Sequence, residues 1–224
     1  MEMTFENKRK RMVDEIRTEV MYTRHLLHRQ ALNQRVIDAL MAVPRHKFVP
    51  PDMQPFAYAN EPLPIGNEQT ISQPYIVAIM TDLLEPEHHH RVLEVGTGSG
   101  YQAAVLSRLV KTVYTVETIA AIAAEATKRL NELGYLNILT RTDDAYFGWP
   151  EYAPYDSIIV TAAAPLIPPP LVEQLKPGGR MVIPVGSMFG QDLVLVKKDA
   201  DGNITTETLL PVAFVPLTGD HSNT

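Results

Sequence analysis

The chain has 224 residues, of which 45% are hydrophobic and 21% are charged, and its formal net charge is −6. These values are ordinary for a globular protein, and the length is sufficient for a substantial core. The acidic balance argues against a nucleic-acid partner, which would require a basic surface. The absence of cysteine excludes disulfides, thiolate metal ligands and a thiol nucleophile. The sequence contains no run of 18 apolar residues, so it predicts no membrane-spanning helix. No apolar leader follows the charged N-terminus, and we therefore expect a cytoplasmic protein without a membrane partner.

Two helices are predicted within residues 5–42, because apolar side chains recur there at helical spacing. These side chains are Met12, Val13, Ile16, Val20, Leu32, Val36, Ile37, Leu40 and Met41. The second helix ends at Val43, since the residue before a proline is disfavoured in the α region. Regular periodicity then disappears over residues 45–73, which are rich in proline and polar groups. Because apolar anchors are spread through it, we interpret this segment as an ordered, functional loop.

A third helix is predicted from Pro74, because proline is favoured at the first helical position. Either Ser72 or Gln73 would cap it. Farther along the chain, a helix is expected at residues 119–133, and it ends near Gly134. Strands are expected at 136–140, 155–160 and 180–185, a short helix at 168–175, and a hairpin of strands at 192–198 and 204–215.

Residues 91–117 have the pattern strand, glycine turn, helix, strand and acid. Glycines at 96, 98 and 100 permit a tight turn and the close approach of a ligand. The helix that follows offers free backbone N–H groups at its N-terminus. The second strand ends at Glu117, about 20 residues after the turn, where a carboxylate binds ribose hydroxyls. This pattern is typical of a nucleoside-cofactor site, although a ligand-free strand–helix turn is the alternative.

The spacing of the three glycines distinguishes two kinds of cofactor. The dinucleotide fingerprint places its third glycine one residue later, where this chain has Tyr101. Glycines at every second position, preceded by Glu94, resemble the first motif of S-adenosylmethionine methyltransferases. S-adenosylmethionine is therefore the predicted cofactor, and S-adenosylhomocysteine is its product.

Strands alternate with helices up to about residue 185, which predicts an α/β fold with a doubly wound, mostly parallel sheet. The hairpin adds antiparallel C-terminal strands, and the first helices form an N-terminal helical cap. We expect one domain over residues 1–224. Its parts are the N-terminal helices and loop at 1–74, a cofactor-binding core at 75–186 and the C-terminal strands at 187–224.

Ligands of such sheets bind beyond the carboxyl ends of the strands. Glu117 would accept hydrogen bonds from the ribose, Asp144 would face the adenine, and Thr161 would line the floor of the pocket. Taken singly, Glu117 could be a helix N-terminal charge and Asp144 a turn carboxylate. The predicted cofactor-binding residues are Glu94, Gly96, Thr97, Gly98, Ser99, Gly100, Glu117, Asp144, Ala145 and Thr161.

Three further stretches make the chain resemble the protein-L-isoaspartate O-methyltransferases. They lie at residues 59–78, 148–163 and 175–186, with a shorter match at 214–219. The run Thr-Ile-Ser-Gln-Pro at 70–74 is specific to that family, whereas the glycine motif and the Lys-Pro-Gly-Gly turn occur in many methyltransferases. Two sites depart from the family pattern. Asn67 and Glu68 replace a glycine-containing triplet, and Asp143-Asp144-Ala145 replaces Gly-Asp-Gly.

The resemblance implies a Rossmann-like methyltransferase fold and methylation of the α-carboxylate of L-isoaspartyl residues in damaged proteins or peptides. The ester then cyclises to a succinimide, which hydrolyses partly to aspartate. A carboxylate is already ionised at neutral pH, so no general base is needed. Ser72 is the predicted catalytic residue, orienting that carboxylate, with a plain helix cap as the alternative.

Substrate contacts are also implied by the resemblance. The predicted substrate-binding residues are Thr70, Ile71, Gln73, Ala162, Val215, Pro216 and Leu217. The substrate would lie extended against residues 161–165 and 214–217, pairing backbone groups as an added strand. We expect isoaspartyl proteins and peptides as partners, no nucleic acid, a monomeric state and no metal, with the three histidines at 88–90 in a surface turn. The alternatives are an RNA or small-molecule methyltransferase on the same fold, or a catalytically inert relative.

Overall fold

The structure is a computed structural model that describes residues 3–187 and 189–219. Its helices are α1 (Phe5–Leu27), α2 (Gln34–Ala42), α3 (Pro74–Leu83), α4 (Tyr101–Ser107), α5 (Ala120–Glu132) and α6 (Pro169–Gln174). Its strands are β1 (Leu63–Gly66), β2 (Gln69–Ile71), β3 (Arg91–Val95), β4 (Thr112–Glu117), β5 (Ile138–Thr142), β6 (Tyr155–Val160), β7 (Leu175–Ser187), β8 (Gly190–Lys198) and β9 (Ile204–Val212). Short 3₁₀ helices lie at Arg45–Phe48, Pro51–Phe56, Ala145–Phe147 and Pro150–Tyr152.

Strands β3 to β9 form a seven-stranded sheet in the order β5-β4-β3-β6-β7-β8-β9. The pairs from β5 to β7 are parallel, whereas β8 is antiparallel to both of its neighbours. The predicted α/β fold with antiparallel C-terminal strands is therefore confirmed. From β3 the chain continues outward through β4 to β5, and it then returns to β6 and β7 on the other side of β3. The switch point therefore lies between β3 and β6.

Two hydrophobic clusters cover the two faces of this sheet. Side chains along β3 alternate between them, with Val92 in one cluster and Leu93 and Val95 in the other. The cluster around Val92 also receives buried side chains from α1 to α4. The N-terminal helices are thus part of a core layer, with α1 packed against α2, α3 and the edge strand β9. No helix within the described residues is both long enough and apolar enough to cross a membrane.

The structure differs from the sequence-based prediction most clearly between residues 45 and 73. This segment holds two 3₁₀ helices and an antiparallel hairpin of β1 and β2, instead of irregular loop alone. Elements this short leave no periodic signal, and the prolines remove backbone donors that longer elements would use. A smaller difference concerns β7, which begins at Leu175. The predicted turn at 176–179 is an irregularity inside that strand, opposite Asp156.

Candidate functional site

The register of the central strands brings three distant turns together. Val95 is aligned with Val116 on β4 and with Val160 on β6. The residues that follow these three positions therefore emerge side by side at the carboxyl edge of the sheet. Gly96 N–H donates to the Val116 carbonyl at 2.8 Å, and Thr161 N–H donates to the Val95 carbonyl at 2.9 Å. This edge is the floor of the candidate site.

The glycine turn packs closely against Thr161. The Thr161 hydroxyl donates to the Gly96 carbonyl at 2.5 Å, and Gly96 has a φ of +95°. A Cβ atom at position 96 would lie 2.5 Å from Thr161 Oγ1. Glycine is required here for two reasons, because a side chain would be strained at this φ and would collide with Thr161.

Glu117 anchors the glycine turn through its carboxylate. Its Oε2 accepts from Gly98 N–H at 2.9 Å, and its Oε1 accepts from Ile119 N–H at 3.0 Å. The side chain belongs to a residue only 8% exposed, at the edge of the cleft. Each carboxylate oxygen carries a second lone pair, so Glu117 can accept ribose hydroxyls while it holds the turn.

Glu94 lies beneath the turn, fully buried. Its Oε2 accepts from the Thr115 hydroxyl at 2.5 Å, and that hydroxyl is 2.6 Å from Thr97 Oγ1. Its Oε1 has no hydrogen-bond partner in the described part of the chain. Burial raises the pKa of Glu94 to about 8. Glu94 is therefore connected to the cleft through the hydroxyl groups of Thr115 and Thr97, and Thr97 lines the site.

Ser72 approaches the same cleft from the other side. It follows β2 and lies two residues before α3, whose N-cap is Gln73 and has no side-chain cap hydrogen bond. No group in the described residues hydrogen-bonds to Ser72 Oγ, while its carbonyl accepts from Arg45 Nη2 at 2.8 Å. The Ser72 hydroxyl is thus available to a ligand, and it makes no capping hydrogen bond to α3.

Gln73 is held from α1. Its Nε2 lies 3.4 and 3.5 Å from the two carboxylate oxygens of Glu19, and Asn60 Nδ2 donates to Glu19 Oε2 at 2.6 Å. Partial burial raises the pKa of Glu19. Asn60 Oδ1 in turn accepts from Tyr75 N–H at 2.9 Å. This network fixes the segment on either side of Ser72 to the N-terminal helix.

The C-terminal segment covers the floor of the cleft. Ala163 N–H donates to the Val215 carbonyl, and Leu217 N–H donates to the Ala163 carbonyl, each at 2.8 Å. Phe214 is held as well, because its N–H and carbonyl both bond to the Gln191 side chain. These backbone groups are therefore not available to the predicted substrate strand, which would have to pair with other groups of the two segments.

Most of the predicted residues meet in one cleft. The residues that line it are Gln69, Thr70, Ile71, Ser72, Val77, Gly96, Thr97, Gly98, Ser99, Tyr101, Gln102, Glu117, Thr118, Ile119, Ala145, Thr161, Ala162, Val215, Pro216, Leu217 and Thr218. A second pocket shares Thr70, Ser72 and Thr161 with it and adds Gln73 and Phe214. The two pockets together form a continuous candidate site.

Three predicted cofactor residues do not line the cleft. Glu94 lies beneath it, and Gly100 is the N-cap of α4, with a φ of +85°. Asp144 caps the 3₁₀ helix at Ala145–Phe147, accepting from Tyr146 N–H at 3.1 Å, and a Cβ on Gly219 would touch its carboxylate. Asp144, which was predicted to face the adenine, thus lies beside the C-terminal segment.

Several lining residues were not predicted from the sequence. Tyr101 and Gln102 directly follow the glycine turn, and Thr118 and Ile119 directly follow Glu117. Their adjacency to predicted residues was a usable signal. Val77 had no such signal, because it reaches the cleft only through the packing of α3.

The two departures from the family pattern lie in different places. Asn67 and Glu68 form the exposed tip of the β1–β2 hairpin, both with positive φ, and they do not line the cleft. This conformation matches the two central residues of a tight hairpin turn. Asp143 pairs with Arg141 at 2.5 Å, and Arg141 also pairs with Glu151 at 2.8 Å, while Ala145 is buried against the cleft.

Comparison with known proteins agrees with this geometry. The sequence profile described as Protein-L-isoaspartate(D-aspartate) O-methyltransferase (PCMT) matches residues 17–222. The chain is 58% identical over 209 residues to Protein-L-isoaspartate O-methyltransferase 2 of Polaromonas sp. strain JS666, covering 93% of this chain and 99% of that protein.

Two solved structures have the same architecture. One, titled protein-L-isoaspartate O-methyltransferase, has a TM-score of 0.81 and 28% identity, covering 95% of this chain and 66% of its own longer chain. Another, from Plasmodium falciparum in complex with S-adenosyl-L-homocysteine, shares the fold with a TM-score of 0.74 and 22% identity, covering 93% and 97%. With its profile match, its close relatives and its sheet topology in agreement, the chain belongs to the protein-L-isoaspartate(D-aspartate) O-methyltransferase family.

Proposed function

We propose that this protein transfers a methyl group from S-adenosylmethionine to the α-carboxylate of L-isoaspartyl residues in damaged proteins and peptides. The observation that carries the proposal is the position of Ser72. Its unpaired hydroxyl shares one cleft with the glycine turn and Glu117. The family membership of the chain supports the reaction, and the cleft contains the groups that the reaction requires.

The residues of the cleft fit the cofactor. The glycine turn lines the cleft, and at Gly98 a Cβ atom would have only Ile65, among the described residues, within 4 Å, so the backbone there is open to a ligand. Glu117 retains lone pairs for the ribose hydroxyls, and Ala145 and Ile119 offer an apolar surface of the kind an adenine ring packs against. When bound, S-adenosylmethionine supplies a methyl group on a positively charged sulfur, and the neutral thioether is the leaving group.

The protein's own contribution is orientation. The substrate carboxylate is ionised at neutral pH, so no side chain has to remove a proton. The Ser72 hydroxyl donates a hydrogen bond to one carboxylate oxygen and leaves the other directed at the methyl group. Holding the reacting atoms in line is the proximity effect, which supplies much of the acceleration in such transfers. Thr70 lines both pockets, so it lies beside the position that we propose for the substrate chain.

The products follow from the chemistry of the substrate. Methylation converts the α-carboxylate into an ester with a better leaving group. The neighbouring backbone nitrogen then attacks the ester carbonyl and releases methanol, which gives a succinimide. Hydrolysis of the succinimide returns part of the chain to normal aspartate, so the enzyme initiates repair and the later steps proceed in solution.

The deciding experiment offers cofactor with a labelled methyl group to two peptides that differ only in one linkage, isoaspartyl or aspartyl. We expect label on the isoaspartyl peptide alone. Equal labelling of both peptides would overturn the substrate assignment. Labelling of neither, with S-adenosylhomocysteine still bound in a calorimeter, would favour an enzyme acting on RNA or a small molecule. Absence of both labelling and cofactor binding would indicate an inert relative.

We also propose that a single cytoplasmic domain over residues 1–224 acts as a monomer. The chain itself supplies the glycine turn, Glu117 and Ser72 of the site, so the proposed reaction requires no residue from a second subunit. Light scattering coupled to size-exclusion chromatography measures the mass in solution. A dimer whose dissociation abolishes activity would contradict it.

A further inference from the structure

Arg45 is a buried arginine with no acidic partner among the residues that the structure describes. It is 0% exposed and has the largest of the fully buried side chains. Its Nε donates to the Ala57 carbonyl and its Nη2 donates to the Ser72 carbonyl, each at 2.8 Å. Its Nη1 has no hydrogen-bond partner, and no carboxylate in the described ranges pairs with it. Such an arrangement is unfavourable for stability alone, since a buried charge normally requires a counterion.

The guanidinium lies directly behind the wall of the cleft. Its planar group covers the ring of Tyr101, with 4.8 Å between the guanidinium carbon and the ring centroid. Both Tyr101 and Ser72 line the cleft, and Arg45 contacts each of them from the protein interior. Tyr101 begins α4 immediately after the glycine turn. One side chain therefore connects the cofactor turn to the serine that faces the substrate.

The charge on Arg45 is present and uncompensated at neutral pH. Burial lowers the pKa of Arg45 to about 10, which still leaves the guanidinium protonated. Burial raises the pKa of Tyr101 to about 12, so the phenol in contact with it is neutral. In a low-dielectric interior such a charge acts on groups beyond its hydrogen-bonding distance. An anion entering the cleft at Ser72 would approach a residue that Arg45 contacts directly, and the positive charge would favour it.

We infer that Arg45 is a positioning residue that fixes the backbone of Ser72 and gives the cleft its preference for a carboxylate over a neutral group. The inference rests on the proposed methyl transfer to an isoaspartyl carboxylate. The two carbonyl bonds hold Ser72 in place, and the remaining positive charge favours the anionic substrate. Arg45 acts through Ser72 and the local potential, without touching the substrate itself.

The test measures discrimination between two ligands. One is an isoaspartyl peptide, and the other is the same peptide with its α-carboxylate converted to an amide. Binding of each is measured by calorimetry to protein saturated with S-adenosylhomocysteine. We expect the unmodified protein to prefer the carboxylate by about tenfold, and Arg45→Met to reduce the preference to about twofold or less. Arg45→Lys keeps the charge and should keep the preference.

Arg35 provides the matched control. Its guanidinium also donates to two backbone carbonyls, those of Pro86 and Leu109, at 2.8 and 2.9 Å, but it lies away from the cleft and pairs with Glu87 at 3.6 Å. Arg35→Met should lower the melting temperature and leave the preference for the carboxylate unchanged. Persistence of the preference in Arg45→Met, or its equal loss in Arg35→Met, would refute the inference. Affinity for S-adenosylhomocysteine should stay within about twofold in each folded variant.

Arg45→Lys covers the case in which Arg45→Met does not fold. A lysine ammonium can reach one of the two carbonyls but cannot bridge both, because it lacks the planar fork. We therefore expect a lower kcat for the isoaspartyl peptide together with a retained preference for the carboxylate. Normal kcat, or a lost preference, would refute the inference. Failure of the unmodified protein to methylate the isoaspartyl peptide would instead refute the proposed function.

Discussion

The cleft has two halves that are built in different ways. The cofactor half, made of Gly96 to Gly100 and Glu117, comes from neighbouring turns at the edge of the sheet. Its carboxylate is bonded to backbone within residues 98–119, because Glu117 accepts from the N–H groups of Gly98 and Ile119. The substrate half, made of residues 69–73 and 215–218, depends on partners far away in the sequence.

This difference has a functional consequence. The cofactor half is held by strand register and backbone hydrogen bonds, so its shape is complete before any ligand arrives. The substrate half keeps an unpaired hydroxyl at Ser72, and its support comes from Arg45 and, through Gln73, from Glu19. A small invariable cofactor suits a rigid site, whereas a damaged polypeptide requires a surface with free polar groups.

The largest effect should come from Ser72→Ala in the substrate half. We expect kcat for the isoaspartyl peptide to fall about 100-fold, the magnitude typical of losing one donor at a reacting oxygen. Affinity for S-adenosylhomocysteine should not change, because the cofactor half is intact. Ser107→Ala on α4, where the hydroxyl bonds only to the Ala104 carbonyl, is the control. Normal turnover in Ser72→Ala would contradict a catalytic role for this residue.

The next effect tests the cofactor half. Glu117→Ala removes a carboxylate that holds two backbone N–H groups and faces the ribose position, so cofactor affinity should weaken by about 1–3 kcal/mol. Calorimetry with S-adenosylhomocysteine measures this change, with Glu125→Ala on the exposed face of α5 as control. Unchanged affinity would show that Glu117 serves only as a turn anchor.

A third effect concerns the buried Glu94 beneath the cofactor half. Its pKa is raised from 4.5 to about 8, so the folded protein retains a proton that the unfolded chain releases. Stability from this group is therefore complete below about pH 4.5 and is lost as the pH rises toward 8. At about 1.4 kcal/mol per pKa unit, Glu94→Gln should gain about 2 kcal/mol relative to the unmodified protein between pH 6 and pH 8.5.

Urea unfolding at the two pH values measures the Glu94 effect. Glu132→Gln, at an exposed position near the end of α5, is the control for the loss of one carboxylate. A stability difference between Glu94→Gln and the unmodified protein that does not vary with pH would contradict a protonated Glu94. It would also indicate that the cofactor half contains a charged group at its base.

The smallest effect should come from the support of the substrate half. Glu19→Gln replaces an acceptor by a donor facing Asn60 and Gln73. The free energy that holds the segment beside Ser72 in place should therefore fall by less than about 1 kcal/mol. We expect a severalfold rise in KM for the peptide and no change in cofactor affinity. Glu15→Gln on the same helix, where the carboxylate pairs with Arg11 near the surface, is the control. Equal KM values in the two variants would argue against support of Ser72 from α1.

Local signals account for the part of the fold and site that was predictable. The glycine spacing, the apolar strands and the acid at Glu117 lie within 27 residues, and each reflects a backbone requirement that does not depend on the rest of the chain. The alternation of strands and helices predicted the parallel sheet, which the structure confirms. The family-specific run at 70–74 predicted which segment would stand opposite the cofactor turn, and both line one cleft.

Other features have no local signature. The hairpin of β1 and β2 is too short for periodicity to indicate, and the backbone pairing of Ala163 with Val215 and Leu217 required both segments in place. Gln73 depends on a carboxylate 54 residues earlier in the chain, which no motif connects to it.

The sequence by itself determined the family, the sheet and the cofactor turn, because backbone geometry and hydrophobic periodicity depend on residues that are close together in the chain. Only the tertiary structure showed that Arg45 lies buried behind Ser72 and Tyr101, without an acidic partner in residues 3–187 and 189–219. The physical reason is that burial and charge balance depend on contacts between segments that are distant in the chain. The sequence of a Pro-Arg pair does not indicate whether the arginine is exposed to solvent or buried behind the wall of a cleft.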